Sequence, residues 1–391
     1  MSKINELIKE LCPNGVKKYT IKDICLVTRG RVISKMELQE NIGEYPVYSS
    51  QTLNNGVFGK INTYDFEGQY VQWTTDGANA GSIFYRNGKF SVTNVCGLLK
   101  VKDEYFNAIN TNYLSYALTI ESKKYVNYST SNPKLMSNVM EKITVLIPPI
   151  EIQEEIVRIL DKFGELKAEL EAELEARKSQ YEFWREKLLN TGNSNQEYIT
   201  LGDIGKVCMC KRIMKNETSG SGDVPFYKIG TFGKQADAYI SYDIFNDYKK
   251  RFSYPKKGEI LVSCSGTIGR SVVFDGEDAY FQDSNIVWLS NDESKVLNKF
   301  LYYFYQTSPW NISDGGTIKR LYNNQFISAK VPLYSLEEQK KIVDILERFD
   351  TLINDISDGL PAEIELRRKQ YEYYRNKLLS FEELNYETIA W

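Results

Sequence analysis

Two sets of polar side chains, spaced along glycine-bearing segments, carry the donors and acceptors that reading a nucleic acid requires. The first set comprises Ser50 and Gln51 in Tyr48-Ser49-Ser50-Gln51, Asn54 just beyond, Thr74, Thr75 and Asn79 in Thr74-Thr75-Asp76-Gly77-Ala78-Asn79-Ala80-Gly81, and Lys134 after Asn132-Pro133. The second comprises Lys228 and Thr231 in Tyr227-Lys228-Ile229-Gly230-Thr231, Lys234, Lys250 in Lys249-Lys250-Arg251, Ser265, Thr267 and Arg270 in Ser265-Gly266-Thr267-Ile268-Gly269-Arg270, and Lys319 with Arg320. Side chains of these types distinguish base edges in a major groove, and glycine lets a backbone approach a ligand closely. The lysine cluster suits phosphates better than base readout. Singly, each segment also reads as an ordinary polar turn.

Catalytic chemistry finds little support. The chain contains no histidine, which removes catalytic triads, histidine bases and histidine-ligated metals. Gly230-Thr231-Phe232-Gly233-Lys234-Gln235 fails as a phosphate loop in its spacing and in the missing hydroxyl after the lysine. Ile147-Pro148-Pro149-Ile150 lacks both the amide or carboxylate and the aromatic ring of the box used for adenine N6 methyl transfer. Cys208 and Cys210 are too close for a zinc knuckle. No catalytic residue and no metal ligand is assigned, and the chain reads as a binder.

These loops belong to two stretches of about 130 residues that diverge in sequence but keep one order of elements. Strand signals over residues 19–27 and 198–207 open each stretch. Apolar or alternating strands over 68–73 and 258–263 then run into the glycine-rich turns, and further strands end near Asn94 and Asn285. A short helix follows around Tyr113-Leu114-Ser115-Tyr116 and Phe300-Leu301-Tyr302-Tyr303. Last come the loops Thr130-Ser131-Asn132-Pro133-Lys134-Leu135 and Thr317-Ile318-Lys319-Arg320-Leu321.

A long helical segment follows each stretch, and the two segments are copies. Gln153, Ile156, Val157, Ile159, Leu160 and Phe163 return as Gln339, Ile342, Val343, Ile345, Leu346 and Phe349; Arg177, Gln180, Tyr181 and Glu182 return as Arg367, Gln370, Tyr371 and Glu372. The offset grows from 186 to 190 between the two groups, so the second copy carries four extra residues. Four residues turn a helix by about 400°, so the apolar face nearly regains its course and a stutter is expected there. Gly359 and Pro361 should bend or break the second copy locally. Ile156, Ile159, Phe163, Leu166 and Leu170, with Ile342, Ile345, Phe349, Leu352 and Ile356, fall in the rhythm of a coiled-coil seam. The simplest partner for each seam is the other copy. Ala168-Glu169-Leu170-Glu171 followed by Ala172-Glu173-Leu174-Glu175 makes a spacer adjustable one turn at a time.

The net charge of −3 is unevenly distributed. Residues 151–175 hold nine acids against three bases, and residues 337–365 hold the same numbers, which leaves everything else at +9. The acid belongs to the helical segments, and the two domains with the helix ends are basic, as readers of a polyanion should be. With 391 residues, 42% hydrophobic and 26% charged, the composition is that of an ordinary multi-domain soluble protein. No apolar run is long enough to cross a bilayer, and Met1-Ser2-Lys3-Ile4-Asn5 lacks the apolar core of a signal peptide. Six cysteines without regular spacing suggest reduced thiols and a cytoplasmic location.

The chain resembles, over essentially its whole length, the specificity subunits of type I restriction-modification enzymes. The resemblance rests on Pro148-Pro149-Ile150-Glu151-Ile152-Gln153-Glu154-Glu155-Ile156 and its counterpart from Pro332 to Ile342, on the Gln-Tyr-Glu helix endings, and on Ser265-Gly266-Thr267-Ile268-Gly269-Arg270. The first domain departs from the last motif, with Asp76-Gly77-Ala78-Asn79-Ala80-Gly81 in its place.

Membership would imply an α+β fold: two globular mixed α/β target recognition domains separated by two long helices packed as an antiparallel coiled coil, with an internal pseudo-two-fold repeat. The domains would then be 1–146, with an N-terminal helix, and 193–331; the spacer helices would be 147–192 and 332–391, the latter range including a C-terminal tail. Each domain would read one half of a bipartite site in double-stranded DNA. Two methyltransferase (modification) subunits would dock on the helices and bring restriction subunits with them, with no membrane involved. S-adenosylmethionine, ATP and Mg²⁺ would belong to those partners, with no cofactor in this chain. The rival reading is a coiled-coil scaffold presenting two protein- or glycan-binding domains, which predicts no salt-dependent retention of DNA. A self-sufficient DNA enzyme would have to transfer methyl groups unaided.

Overall fold

The computed structural model describes residues 2–129, 131–189, 196–311, 319–355 and 357–384. The chain forms two compact units, Met1–Leu170 with Ile364–Trp391, and Glu171–Glu363. Each contains one globular domain together with stretches of both helical segments.

In the first unit, strand β1 (Lys17–Thr20) pairs antiparallel with β8 (Thr144–Ile147), so the domain closes on the strand that leads into the long helix. The strand expected over 19–27 is not continuous. After Thr20 the chain makes one helical turn, Ile21–Ile24, before β2 (Cys25–Arg29). Thr20 Oγ1 accepts from the Asp23 N–H at 3.3 Å and donates to the Asp23 carboxylate at 2.6 Å. That arrangement is a helix cap, and it turns Ile21 and Ile24 into the core. The second unit repeats the correction. A 3₁₀ turn, Leu201–Asp203, separates β9 (Tyr198–Thr200) from β10 (Gly205–Cys208), and Thr200 Oγ1 donates to Asp203 at 2.5 Å.

The main sheet of the first domain adds β3 (Ile42–Tyr48), β4 (Val57–Ile61), β5 (Phe66–Thr74), β6 (Ile83–Val92) and β7 (Cys96–Val101), in the order β2-β7-β5-β6-β3-β4. All neighbours are antiparallel except β3 and β6. The second domain splits this sheet. It places β10-β16-β13-β14 in one sheet and β12-β11-β15 in another, formed by β11 (Val224–Tyr227), β12 (Tyr239–Ile240), β13 (Ile260–Ser263), β14 (Ser271–Val273), β15 (Tyr280–Phe281) and β16 (Ile286–Asn291). The long β6, paired with β5 along its length and with β3 at its end, corresponds to β14 and β15 together. An excursion through Asp275-Gly276-Glu277-Asp278 interrupts the second copy. Finally β17 (Lys330–Pro332) pairs with β9 as β8 does with β1.

The first long helix runs unbroken for 40 residues, Ile150–Leu189. Ile152, Ile156 and Leu160 enter the core of the first domain beside Tyr113, Leu114 and Ala117, and Phe163 stacks on Tyr374 at 5.4 Å. The second copy is two helices, Leu336–Asn354 and Leu360–Leu378. Ile342, Val343, Leu346 and Ile353 join the core of the second domain with Tyr181 and Leu189. Within that unit the Tyr334 hydroxyl donates to the Leu188 carbonyl at 3.1 Å and Phe349 lies 6.2 Å from Tyr181. The two stretches therefore run antiparallel.

The seam needs correction. Leu166, Ile345 and Leu352 are exposed, at 37%, 41% and 36%, whereas Leu346 and Ile353 are buried. A straight helix drifts from a 3.5-residue repeat, and here the globular domain, as well as the other helix, takes the apolar face. Ile156 and Ile342 are buried, Ile159, Phe163, Leu170 and Phe349 are half-buried, and Ile356 lies outside the described residues. The expected stutter is an interruption. Asp355 is extended (φ −70°, ψ 118°), and the four extra residues fall where the helix stops and restarts. A Cβ on Gly359 would sit 2.6 Å from the Thr351 carbonyl oxygen, so glycine is required there. Pro361 then occupies the first turn of the new helix, where its missing N–H costs nothing.

One buried device appears twice. Gln153 Oε1 accepts from the Asn110 N–H at 2.8 Å, and its amide donates to the carbonyls of Ala108 (2.8 Å) and Pro148 (2.7 Å). Gln339 accepts from the Leu297 N–H at 2.8 Å and donates to Lys295 (2.8 Å) and Tyr334 (2.9 Å). Both glutamines are 0% exposed. Each ties the start of a long helix to the approach of the short helix of its domain, Thr111–Glu121 or Asn298–Gln306.

Candidate nucleic-acid interface

In the first domain, loops far apart in sequence meet where β5 and β7 are paired through Thr74 and Cys96. Asp76 forms an isolated bridge with Lys134, and the Gly77 N–H donates to the Pro133 carbonyl at 3.0 Å. The Lys134 ammonium lies 3.7 Å from Asp76. Arg29, at the end of β2, donates to Thr75 Oγ1 (3.0 Å), to Asp76 (3.5 Å) and to the Asn94 carbonyl (2.8 Å). Asn79 donates to the Ser50 carbonyl at 2.9 Å, which joins the 49–56 loop to this group. Four of the expected residues, Ser50, Gln51, Asn79 and Lys134, are therefore exposed or half-buried within one group of loops, and Asn54 is exposed on the adjoining turn.

Thr74 and Thr75 are corrections. Both are 0% exposed, because Thr74 closes β5 inside the sheet and Thr75 follows it directly with its N–H bonded to the Val95 carbonyl, and the Thr75 hydroxyl is occupied by Arg29 and by Asp76 at 2.6 Å. Glycine-rich context suggested a surface turn from Thr74 onward. The turn begins two residues later.

The second domain reproduces the arrangement with different residues. Ser265 bridges Arg320, as Asp76 bridges Lys134, and the Leu321 N–H donates to the Cys264 carbonyl at 2.8 Å. Ser265 Oγ lies 3.0 Å from Asn285 Oδ1, and the Arg320 guanidinium donates to the Ser284 carbonyl at 2.8 Å. Arg270 donates to the Phe232 carbonyl at 2.9 Å, which ties the 228–234 loop to the 264–270 turn. A Cβ on Gly269 (φ +83°) would lie 2.6 Å from Trp310 Nε1, so both the turn and its packing require glycine.

Thr231 accepts from the Lys228 N–H at 3.1 Å, while the Lys228 ammonium pairs with Asp237 at 2.9 Å. Thr267, Lys234 and Lys319 are exposed. Lys250 is exposed on the helix Tyr242–Arg251, whose Lys249 pairs with Asp278 at 3.2 Å, before β15; Gln282 and Ser284 follow that strand. Thr130, Thr317 and Ile318 lie outside the described residues.

Sequence reasoning missed several participants. Arg29, Asp76 and Asn285 organise the loops from residues that read as ordinary strand ends or turns. Arg212 pairs with Asp283 at 2.9 Å, and Gln282 Oε1 accepts from the Ile229 N–H at 2.9 Å. Arg86 is fully buried in β6, and burial pushes its pKa down to about 10. Among the described residues, no three or more Cys, Asp or Glu side chains stand together as a metal site, and no helix is long and apolar enough to cross a membrane.

The family model of the type I restriction modification DNA specificity domain matches twice, over residues 13–177 and 193–366. A Haemophilus influenzae protein named as a type I restriction enzyme specificity subunit is 47% identical over 87% of this chain and 89% of its own length. A Mycoplasma pneumoniae protein named as a type I specificity subunit is 37% identical over 94% and 98%. The crystal structure of the type I restriction-modification S subunit of M. genitalium superposes with a TM-score of 0.56 at 16% identity, covering 93% of this chain and 96% of that one. With two matched domains and relatives alike over nearly their full lengths, the chain belongs to the type I restriction-modification DNA specificity family.

Proposed function

We propose that this chain is the non-catalytic, sequence-reading subunit of a type I restriction-modification complex, in which each domain reads one half of a bipartite double-stranded DNA site. The observation that carries the reading is the duplicated glutamine clamp beneath two dissimilar loop sets. Gln153 and Gln339 mount their domains through the same three hydrogen bonds, while the loops above differ, with Asp76·Lys134 in one and Ser265·Arg320 in the other. One mount with two different readers is what recognition of two unlike half-sites requires.

The helical segments hold the half-sites at a fixed gap, so that one adenine on each strand is presented. They also dock two methyltransferase subunits, and restriction subunits through them. S-adenosylmethionine, ATP and Mg²⁺ are bound by those partners. Methylome sequencing of cells carrying this chain with its methyltransferase tests the proposal. The expected motif is two short specified blocks separated by an unspecified gap of constant length. A single contiguous motif, or methylation indifferent to this chain, would overturn it.

A further inference from the structure

Beside the reading loops of the first domain, the turn Leu53–Gly56 is built unlike an ordinary surface loop. Asn54 (φ 49°) and Asn55 (φ 50°) are consecutive residues in the left-handed region, which asparagine adopts more readily than other non-glycine residues and which fixes the shape of the turn when the surroundings enforce it. The surroundings do enforce it. Buried Arg86 donates to the Asn55 carbonyl (2.9 Å) and side-chain oxygen (3.1 Å) and to Gln72 Oε1 (2.7 Å), with its guanidinium 3.6 Å from the centre of the Tyr48 ring. The Ser49 N–H donates to the Gly56 carbonyl at 3.0 Å, and the Gln51 amide donates to the Val57 carbonyl. The turn thus raised displays Leu53, which is 82% exposed.

The second domain holds its own loop by similar means, through Arg270 and the Phe232 carbonyl, but displays Lys234 there. In both domains an arginine at or just before the strand next to the central one (β6 or β14) pins the loop that follows β3 or β11.

We infer that Leu53–Gly56 is a pre-shaped DNA-reading element of the first domain, with Leu53 as its apolar probe and Arg86 as the residue that positions it. This rests on the bipartite reading proposed above. An apolar tip has a target in a major groove, where the thymine methyl is the apolar feature of the base edges. A rigid mount also spares the ordering cost that a mobile loop would meet on binding.

The test uses the full chain assembled with its methyltransferase and three duplexes: the intact site, and the site with its first or its second half scrambled. Leu53→Ala, a change at an exposed position, should leave thermal unfolding unaltered. It should weaken binding to the intact site about fivefold or more, and should leave binding unchanged when the first half is scrambled. Arg86→Met, which strips hydrogen bonds from buried Gln72 and from Asn55 and so lowers the melting temperature, should reproduce the binding pattern when assayed well below that temperature, and the double variant should lose no more affinity than the larger single loss, because both act through one contact.

Equal binding by Leu53→Ala and wild type on every duplex, equal losses on all three, or additive losses in the double variant would overturn the inference. Separately, a wild-type complex indifferent to scrambling either half would overturn the bipartite reading, and this inference with it.

Discussion

Deleting Ala172–Glu175 from the first long helix should change the distance between half-sites and nothing else. The reason lies in the tandem tetrads. With the second removed, Leu170 takes the position of Leu174, which packs against the core of the second unit. Glu169 replaces Glu173 as the partner four residues before Arg177, now at 3.3 Å, and Glu171 replaces Glu175 as the partner of Lys178, now at 2.8 Å. The helix stays continuous through Ile150–Leu189, so the deletion is not absorbed by a local bend. The second segment already has a stop between Asn354 and Leu360 at which to adjust.

Four residues withdraw about 6 Å and leave a net rotation of roughly 40°. The rise equals one or two base pairs at about 3.4 Å each, and the rotation is close to that of one base pair at about 10 per turn. Methylome sequencing of the variant should therefore return the same two half-sites with a gap shorter by one or two base pairs. Adding a tetrad should lengthen it equally. An unchanged gap, or any change in the specified bases, would refute the reasoning.

Gln153→Ala should destabilise the first unit, and Gln339→Ala the second, by about 1.5–4.5 kcal/mol each, since each glutamine loses three hydrogen bonds to backbone groups at about 0.5–1.5 kcal/mol apiece. Denaturant titration of each variant reads this, and a change below about 1 kcal/mol would show the clamp to be slack. The hydrogen bond from Arg158, aided by Lys3, holds the buried Glu155 carboxyl down at about 2, so its stabilisation is complete above the unfolded value of about 4.3 and fades as pH falls toward 2. Melting temperature should then fall less steeply for Glu155→Gln than for the wild type below pH ~4.5, and parallel profiles would count against the pairing. Lys319→Ala with Arg320→Ala should weaken binding through the second half-site only and reduce the salt slope by about 1 for each phosphate that is no longer neutralised; equal weakening against duplexes scrambled in either half would contradict the assignment.

The repeat was legible because helices write their packing into the chain at regular intervals: Gln153 and Gln339, Ile156 and Ile342, and Phe163 and Phe349 keep one register. What the glutamines do was not legible. Their partners are backbone groups of Ala108, Asn110, Lys295 and Leu297, and backbone leaves no trace in residue identity. The order of loops was also readable, and Asp76·Lys134 and Ser265·Arg320 meet as matched order suggested. Burial within a loop was harder to read, since Thr74 and Thr75 have the composition of a turn but sit at the buried end of a strand. The seam failed at Leu166, Ile345 and Leu352 because a heptad reading assumes one neighbour, whereas each helix here serves a domain as well.

The distribution of charge shows how such a chain can favour the right site over any DNA. Several cations at the reading ends are already engaged: Lys134 and Arg29 by Asp76, Lys228 by Asp237, and Arg212 by Asp283. Non-specific affinity comes from phosphate contacts, so every cation that must exchange a carboxylate for a phosphate gains less from an arbitrary duplex than a free one would. The acidic stretches at 151–175 and 337–365 would act in the same direction, repelling a duplex that touched the helices themselves and leaving the basic domains to make the contacts. On the bipartite reading proposed above, base contacts and the contact of the apolar tip at Leu53 would be made only on the cognate half-site. They remain as the part of the binding energy that the carboxylates do not cancel, so an overall net charge of −3 is compatible with selective recognition of a polyanion.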